Sequence, residues 1–217
     1  LTIRTGEFFG LLGPNGAGKT TTISMMSTVL LPTEGEISID GQPLTRKASA
    51  QKRKLSVITQ EYSMRQDMTM DEVMEYQGRL YGLPRKVMRE KTDELLDFVG
   101  LTEFRRRTVR HLSGGMKRKL MICRALLIEP EILLLDEPTA GLDPEERVRL
   151  RSYIEALAAD KIVLITTHIT SDVETIADQI LLMQQGKLHF AADRATFIAG
   201  CGAASLEDAY LRRLHAL

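Results

Sequence analysis

Gly13-Pro14-Asn15-Gly16-Ala17-Gly18-Lys19-Thr20 stands between a short apolar run, Phe8 to Leu12, and a stretch of helical spacing that opens at Thr20. The pattern G-x-x-x-x-G-K-T, with a strand before it and a helix after it, is a cradle for phosphate. The loop's N–H groups and the positive end of the helix converge on one point. Lys19 adds a mobile cation there, and the Thr20 hydroxyl is a ligand for magnesium. The glycines let phosphate approach the backbone. The bare pattern also fits an ordinary turn, but the flanking strand and helix favour nucleotide binding.

Working outward, the chain alternates strands and helices. Leu1–Arg4 is expected as a strand and Thr5-Gly6-Glu7 as a turn. After the cradle, Ile23, Met26, Val29 and Leu30 predict a helix over 20–31, stopped by Pro32. Residues 35–40 (Ile37 and Ile39 inward) and 55–59 read as strands, the second ending at Gln60. From Glu61 the spacing becomes helical: Val73, Tyr76 and Leu80, then Met88, Thr92, Leu95, Leu96 and Val99, then a basic Arg105-Arg106-Arg107. Ser113 is the expected N-cap of a further helix whose buried face carries Met116, Leu120, Cys123 and Leu127.

The second half returns to strands. Ile132–Leu135 is apolar and delivers Asp136-Glu137 at its carboxyl end, where open α/β sheets place their chemistry. Asp143-Pro144 opens a helix with Leu150, Tyr153, Ile154 and Leu157 inward. Residues 162–166 form a strand ending at Thr167-His168, and 179–183 pairs with 187–191 around Gly186. Two helices close the chain, the second presenting Leu206, Tyr210, Leu211 and Leu214 on one face. The fold class is therefore α/β: a mainly parallel sheet with helices on both sides, interrupted by a helical insertion. The expected domains are an α/β core, 1–60 with 124–217, and a helical subdomain, 61–123.

The 217 residues suffice for a sizeable core, and 29 basic residues balance 29 acidic ones. Zero net charge and no long basic run argue against nucleic acid as a partner. Cys123 and Cys201, far apart, read as free thiols. No apolar run approaches the roughly 20 residues of a membrane span, so a membrane connection is expected through a partner. The first residue is Leu1, which reads as an excerpted chain.

The cradle, Gln60, Leu112-Ser113-Gly114-Gly115-Met116, Ile132–Glu137, Gly141-Leu142-Asp143 and His168 follow one another in the order and spacing of an ABC-type ATPase domain, the motor of ABC transporters. The resemblance spans nearly the whole chain. It implies a P-loop NTPase core of RecA type, with ATP and Mg2+ as cofactors. Gly13, Pro14, Asn15, Gly16, Ala17, Gly18, Lys19, Thr20 and Thr21 would hold the ATP phosphates. Thr20, Gln60 and Asp136 would serve magnesium. Glu137 would be the general base for the attacking water, and His168 would hold base and water in line, with Lys19 on the β/γ-phosphates. Ser113, Gly114 and Gly115 match the signature that meets a γ-phosphate held by another copy, and Asp143 would lie at that dimer interface.

The resemblance further implies a homodimer or heterodimer of ATP-binding subunits, working with transmembrane permease subunits at the cytoplasmic face of the membrane. Met116 replaces the glutamine of many members, and this methionine, with Leu206-Glu207-Asp208-Ala209-Tyr210-Leu211, resembles the exporter subclass. Members stack adenine on an aromatic residue in strands before the cradle. With twelve residues before Gly13, this chain is expected to lack those strands and that aromatic. The alternative is a soluble ABC ATPase of ribosomes or chromosomes. Chromosome-type members place hundreds of coiled-coil residues where about 90 separate Lys19 from Leu112 here, and ribosome-type members carry two cassettes. A P-loop kinase would leave the signature and His168 unexplained. Met64, Met68, Met70 and Met74, just after Gln60, are read either as an adaptable docking surface or as core filler.

Overall fold

A computed structural model describes residues 1–60, 64–158 and 160–216. The chain runs through β1 (Phe8–Leu12), α1 (Lys19–Met26), a small hairpin of β2 (Ser38–Ile39) and β3 (Gln42–Pro43), α2 (Ser49–Arg53) and β4 (Leu55–Ile58). Three helices follow, α3 (Met70–Leu80), α4 (Arg85–Phe98) and α5 (Gly114–Leu126), and then β5 (Ile132–Asp136). The remainder is α6 (Pro144–Ala158), β6 (Ile162–Thr167), β7 (Gln179–Gln184), β8 (Lys187–Asp193), α7 (Arg194–Ala199) and α8 (Leu206–His215).

The main sheet has the order β4-β5-β6-β1-β7-β8. Every neighbouring pair is parallel except β7 with β8. The apolar runs divide by period two between two buried faces, as parallel strands covered on both sides must. Phe8 and Leu12 join Leu133, Leu135, Val163, Ile165, Ile180 and Leu182 on one face. Phe9 and Leu11 join Leu134, Leu164 and Leu181 on the other, where Ile23 of α1 closes over them. Each such side chain stabilises the fold by about 1.5–3 kcal/mol relative to exposure. Since the strands share a direction, the carboxyl ends of β1, β4, β5 and β6 lie at one sheet edge. That edge receives the cradle, Gln60, Asp136-Glu137 and His168.

The helices α3, α4 and α5 pack on one another and continue the larger core through Val73, Leu96, Leu120 and Cys123. A capping box, Thr69 with Glu72, starts α3. Arg105 bridges Asp71 of α3 and Asp93 of α4, and Arg107 lies over the Phe104 ring at 4.6 Å, so two residues of the basic triplet are engaged within the fold. Burial pushes the Cys123 thiol up to about 12, in keeping with its expected place in the core.

Several expected boundaries move. Residues 1–4 form no strand; Arg4 instead closes a turn by donating its N–H to the Glu7 carboxylate. Helix α1 ends at Met26, well before Pro32, because Thr28 takes a left-handed conformation (φ 63°), and Val29, Leu30 and Leu31 are exposed. Residues 35–40 shrink to the two-residue strand β2. The buried face of α3 is Met70, Val73, Met74 and Gly78, while Tyr76 and Leu80 point outward. Leu211 of α8 is likewise exposed. Met64, Met70 and Met74 are buried in the larger core and the half-buried Met68 packs against it, so these methionines serve as core filler and not as a docking surface. The expected start of the helical insertion at Glu61 lies outside the described residues. Its expected end at 123 falls inside α5, a continuous helix whose Ala125 carbonyl accepts from Ser56 of β4 at 2.9 Å.

Candidate phosphate and catalytic site

The cradle is shaped from two sides. At its end, Gly18 is the N-cap of α1 with φ 105°, a conformation that L side chains rarely adopt. At its start, Gly13 passes so close to the Met183 carbonyl of β7 that a Cβ would collide with it. The β7–β8 turn braces the loop, Gly186 N–H donating to the Ala17 carbonyl at 2.8 Å. Nothing in the loop's own sequence pointed to that brace. The paired turn residues Gln185 and Gly186 were the available signal for it.

Lys19 is 5% exposed, and its ammonium donates to the Gly13 carbonyl (2.8 Å) and the Pro14 carbonyl (3.2 Å). It also lies 3.3 Å from Glu137 Oε1. The other oxygen of the same carboxylate, Oε2, is 2.8 Å from His168 Nδ1. An ionised carboxylate only accepts, so Nδ1 carries the proton in this contact. Glu137 is 8% exposed and sits in a left-handed backbone conformation, φ 46°, unusual for a residue with a side chain. Its N–H donates to the Thr166 carbonyl (3.0 Å), which holds the bend. The Thr166 hydroxyl donates to Asp136 Oδ1 at 2.5 Å, fixing that carboxylate at the end of β5.

A cleft of about 430 Å³ opens over this cluster, lined by residues 15–21, Gln60, Glu137, Ala140 and His168. A neighbouring cleft is lined by Thr20, Gln60 and Asp136 among others. Sequence-predicted residues from four strand ends are thus gathered at one place. Among the described residues no cluster of three or more His, Cys, Asp or Glu side chains is placed to hold a metal. One buried carboxylate beside a threonine hydroxyl and an amide suits a magnesium ion that takes its other ligands from phosphate and water. Ser113, Gly114, Gly115 and Asp143 lie outside the lining of the first cleft. Ser113 caps α5, its hydroxyl accepting from Met116 N–H at 3.2 Å, and Asp143 caps α6, accepting from Glu146 N–H at 2.9 Å. The Glu146 carboxylate packs directly against Gly115, so that a Cβ there would have to displace this flexible side chain. Thr166, whose hydroxyl fixes Asp136, and the buried pair Thr139 and Asp172 belong to no motif of the sequence. The threonine pair closing an apolar strand just before His168 was the signal for the first.

A parallel sheet whose first strand feeds a glycine-rich loop, with a carboxylate pair and a histidine at neighbouring strand ends, defines a P-loop NTPase. The comparisons narrow this class. The family profile described as ABC transporter matches residues 1–140, and the chain belongs to that family. It is 37% identical over 188 residues to the linearmycin resistance ATP-binding protein LnrL of Bacillus subtilis, covering 86% of this chain and 60% of that protein. To the Nod factor export ATP-binding protein I of Ralstonia nicotianae it is 38% identical over 190 residues, covering 86% and 58%. The chain thus spans less than two thirds of the length of either relative. A solved ATP-binding subunit of an ABC transporter superposes with a TM-score of 0.87 at 29% identity, over 97% of this chain and 89% of that one. Family, relatives and fold thus agree: the chain belongs to the ABC transporter family, and the proteins it is similar to carry names of ATP-binding proteins or subunits. No helix among the described residues is long and apolar enough to cross a membrane.

Proposed function

We propose that the chain hydrolyses ATP to ADP and phosphate and couples that cycle to substrate export through separate transmembrane permease subunits. The observation that carries the reading is Glu137, held between Lys19 and His168 at the mouth of the phosphate cradle. Residues 13–21 bind the ATP phosphates, with Lys19 moving from the loop carbonyls to the β/γ-phosphates. Thr20, Asp136 and Gln60 hold magnesium, which when bound neutralises charge on the transferring phosphoryl group. Glu137 takes the proton of the attacking water. His168, donating through Nδ1, keeps that carboxylate turned toward the water.

Export is supported by the names of the two relatives, one of linearmycin resistance and one of Nod factor export. Neither name speaks of ribosomes or chromosomes, the alternative reading. Residues 1–60 with 124–217 act as the ATP-binding core and 61–123 as the helical subdomain bearing the signature Ser113-Gly114-Gly115. Two such subunits, identical or not, would meet at Asp143 on the cytoplasmic face of the membrane, without nucleic acid. The test is phosphate release by the purified chain with ATP, lost on chelation and restored by magnesium, together with isolation of the chain from membranes with a multi-spanning partner. Failure to bind or hydrolyse ATP with magnesium present would overturn the assignment.

A further inference from the structure

The loop after β5 and the end of β6 are joined by a carboxylate that lies outside the lining of the phosphate cleft. Asp172 closes the 3-10 turn Thr170–Asp172 and is fully buried, 0% exposed. Its Oδ2 accepts from the hydroxyls of Thr139 and Thr167, the latter at 3.2 Å. Both threonines are buried as well. Thr139 follows Glu137 by two residues, and Thr167 immediately precedes His168. Asp172 Oδ1 has no hydrogen-bond partner among the described residues.

A buried carboxylate with one bare oxygen is costly, and an apolar side chain would fill this space without that cost. What an apolar side chain cannot do is accept two hydroxyl protons at once and so fix two loops relative to each other. Glu137 needs such fixing, since its left-handed backbone persists only where its surroundings hold it. We propose that Asp172 is a positioning residue, latching the Glu137 loop to the His168 strand end so that the Glu137–His168 contact is kept in the geometry for hydrolysis. The proposal rests on the ATPase reading above and extends it to a residue outside the lining of the cleft. A latch of this kind acts on the chemical step more than on phosphate binding, because it holds Glu137 and His168 and not the cradle residues 15–21 that line the same cleft.

The test uses Asp172→Ala, Asp172→Asn and Thr139→Val in the full chain, with kcat, ATP affinity, melting temperature and the ring NMR signals of His168. Thr139→Val is nearly isosteric, so it keeps the test open should Asp172→Ala fail to fold. Loss of the latch should lower kcat by about tenfold or more, since small misplacements of catalytic groups cost that much, with ATP affinity within about twofold. Asp172→Asn keeps an acceptor oxygen and should retain most of the turnover. The double variant Asp172→Ala/Thr139→Val should be no slower than Asp172→Ala alone, as partners in one interaction behave. The His168 ring signals should move from their wild-type positions in Asp172→Ala and in Thr139→Val, as the Nδ1 contact with Glu137 loosens. Wild-type kcat in a stably folded Thr139→Val overturns the proposal. So does a loss of kcat that runs in step with melting temperature and ATP affinity, which is plain loss of structure. If the wild-type chain hydrolyses no ATP, it is the ATPase reading that fails, and an unmoved His168 signal in both variants would then sink the latch separately.

Discussion

His168 Nδ1 meets Glu137 Oε2 at 2.8 Å although the two residues come from the ends of different strands. Their Cα supports are locked together by the β5–β6 pairing of Asp136 with Thr166 and by the Glu137 N–H bond to the Thr166 carbonyl. The contact is therefore a product of the sheet's register, and a change at either side chain should affect the chemical step while the cradle stays intact.

Glu137→Gln should bind ATP with near-normal affinity and lose turnover by about 10²–10⁴-fold, the usual worth of a general base. His168→Ala should lose less, because the carboxylate remains. Paired measurements of nucleotide affinity and phosphate release decide the matter, and turnover of Glu137→Gln near the wild-type rate would remove Glu137 from the role of base.

A second prediction concerns the start of the cradle. In Gly13→Ala the new methyl group meets the Met183 carbonyl, a backbone atom of β7 that cannot swing aside as a side chain can. Overpacking of this kind costs about 1–3 kcal/mol. For a chain of this size that is a fall in melting temperature of roughly 2–4 °C per kcal/mol. ATP affinity should fall with it, since the Gly13 carbonyl is also an acceptor for Lys19. A calorimetric scan and a nucleotide titration check both, and an unchanged melting temperature would mean that β7 yields.

The thiols should behave differently from each other. Cys123 is buried, with its titration pushed up to about 12 from an ordinary 9, whereas Cys201 is half-buried at the C-terminal end. Iodoacetamide at mild alkaline pH should modify Cys201 in the native protein and Cys123 only at the rate of unfolding. The pH dependence follows from the same shift. Unfolded chains lose the Cys123 proton near pH 9 while the folded protein keeps it toward pH 12. The stability contributed by the protonated thiol is thus full below about pH 9 and is lost as pH rises from there. Rapid native modification of Cys123, seen by peptide mapping, would contradict its burial.

The strands were legible because both faces of the sheet are buried, which leaves continuous apolar runs such as Phe8–Leu12 and Ile132–Leu135. The strand-end residues Gln60, Glu137 and His168 were legible for the same reason: a run that stops at a polar residue marks the sheet edge. The end of α1 was not, since the left-handed turn at Thr28 carries no glycine to announce it. The phase of α3 was not legible, since Val73, Tyr76 and Leu80 share a helical spacing while Met70 and Met74 are the residues that fill the core beside Val73. Asp172 stayed invisible because its partner Thr139 lies 33 residues away, and no local period encodes that contact.

The last prediction is that the working site is shared by two chains. Ser113, Gly114 and Gly115 open α5 with its positive end, yet they do not line the cleft that Lys19 and Glu137 form. A helix N-terminus is an anion site, and among the described residues the Glu146 carboxylate already packs on Gly115 there. A second copy, related by a two-fold axis, could bring its γ-phosphate to that place, and the symmetry would build two equal sites. Lys19→Ala should then fail at the cradle and Ser113→Arg at the signature, each nearly inactive alone. Mixed in equal amounts, half of the dimers are hybrids. Each hybrid has one site with both parts intact and one with neither, so the mixture should recover roughly a quarter of wild-type activity if one site fires alone. The dependence on concentration is the sharper measurement. Specific activity of the wild type should fall on dilution as dimers part, and in Ser113→Arg it should be low at every concentration. Constant specific activity far below the dimerisation range, with Ser113→Arg hydrolysing normally, would show that each chain completes its own site.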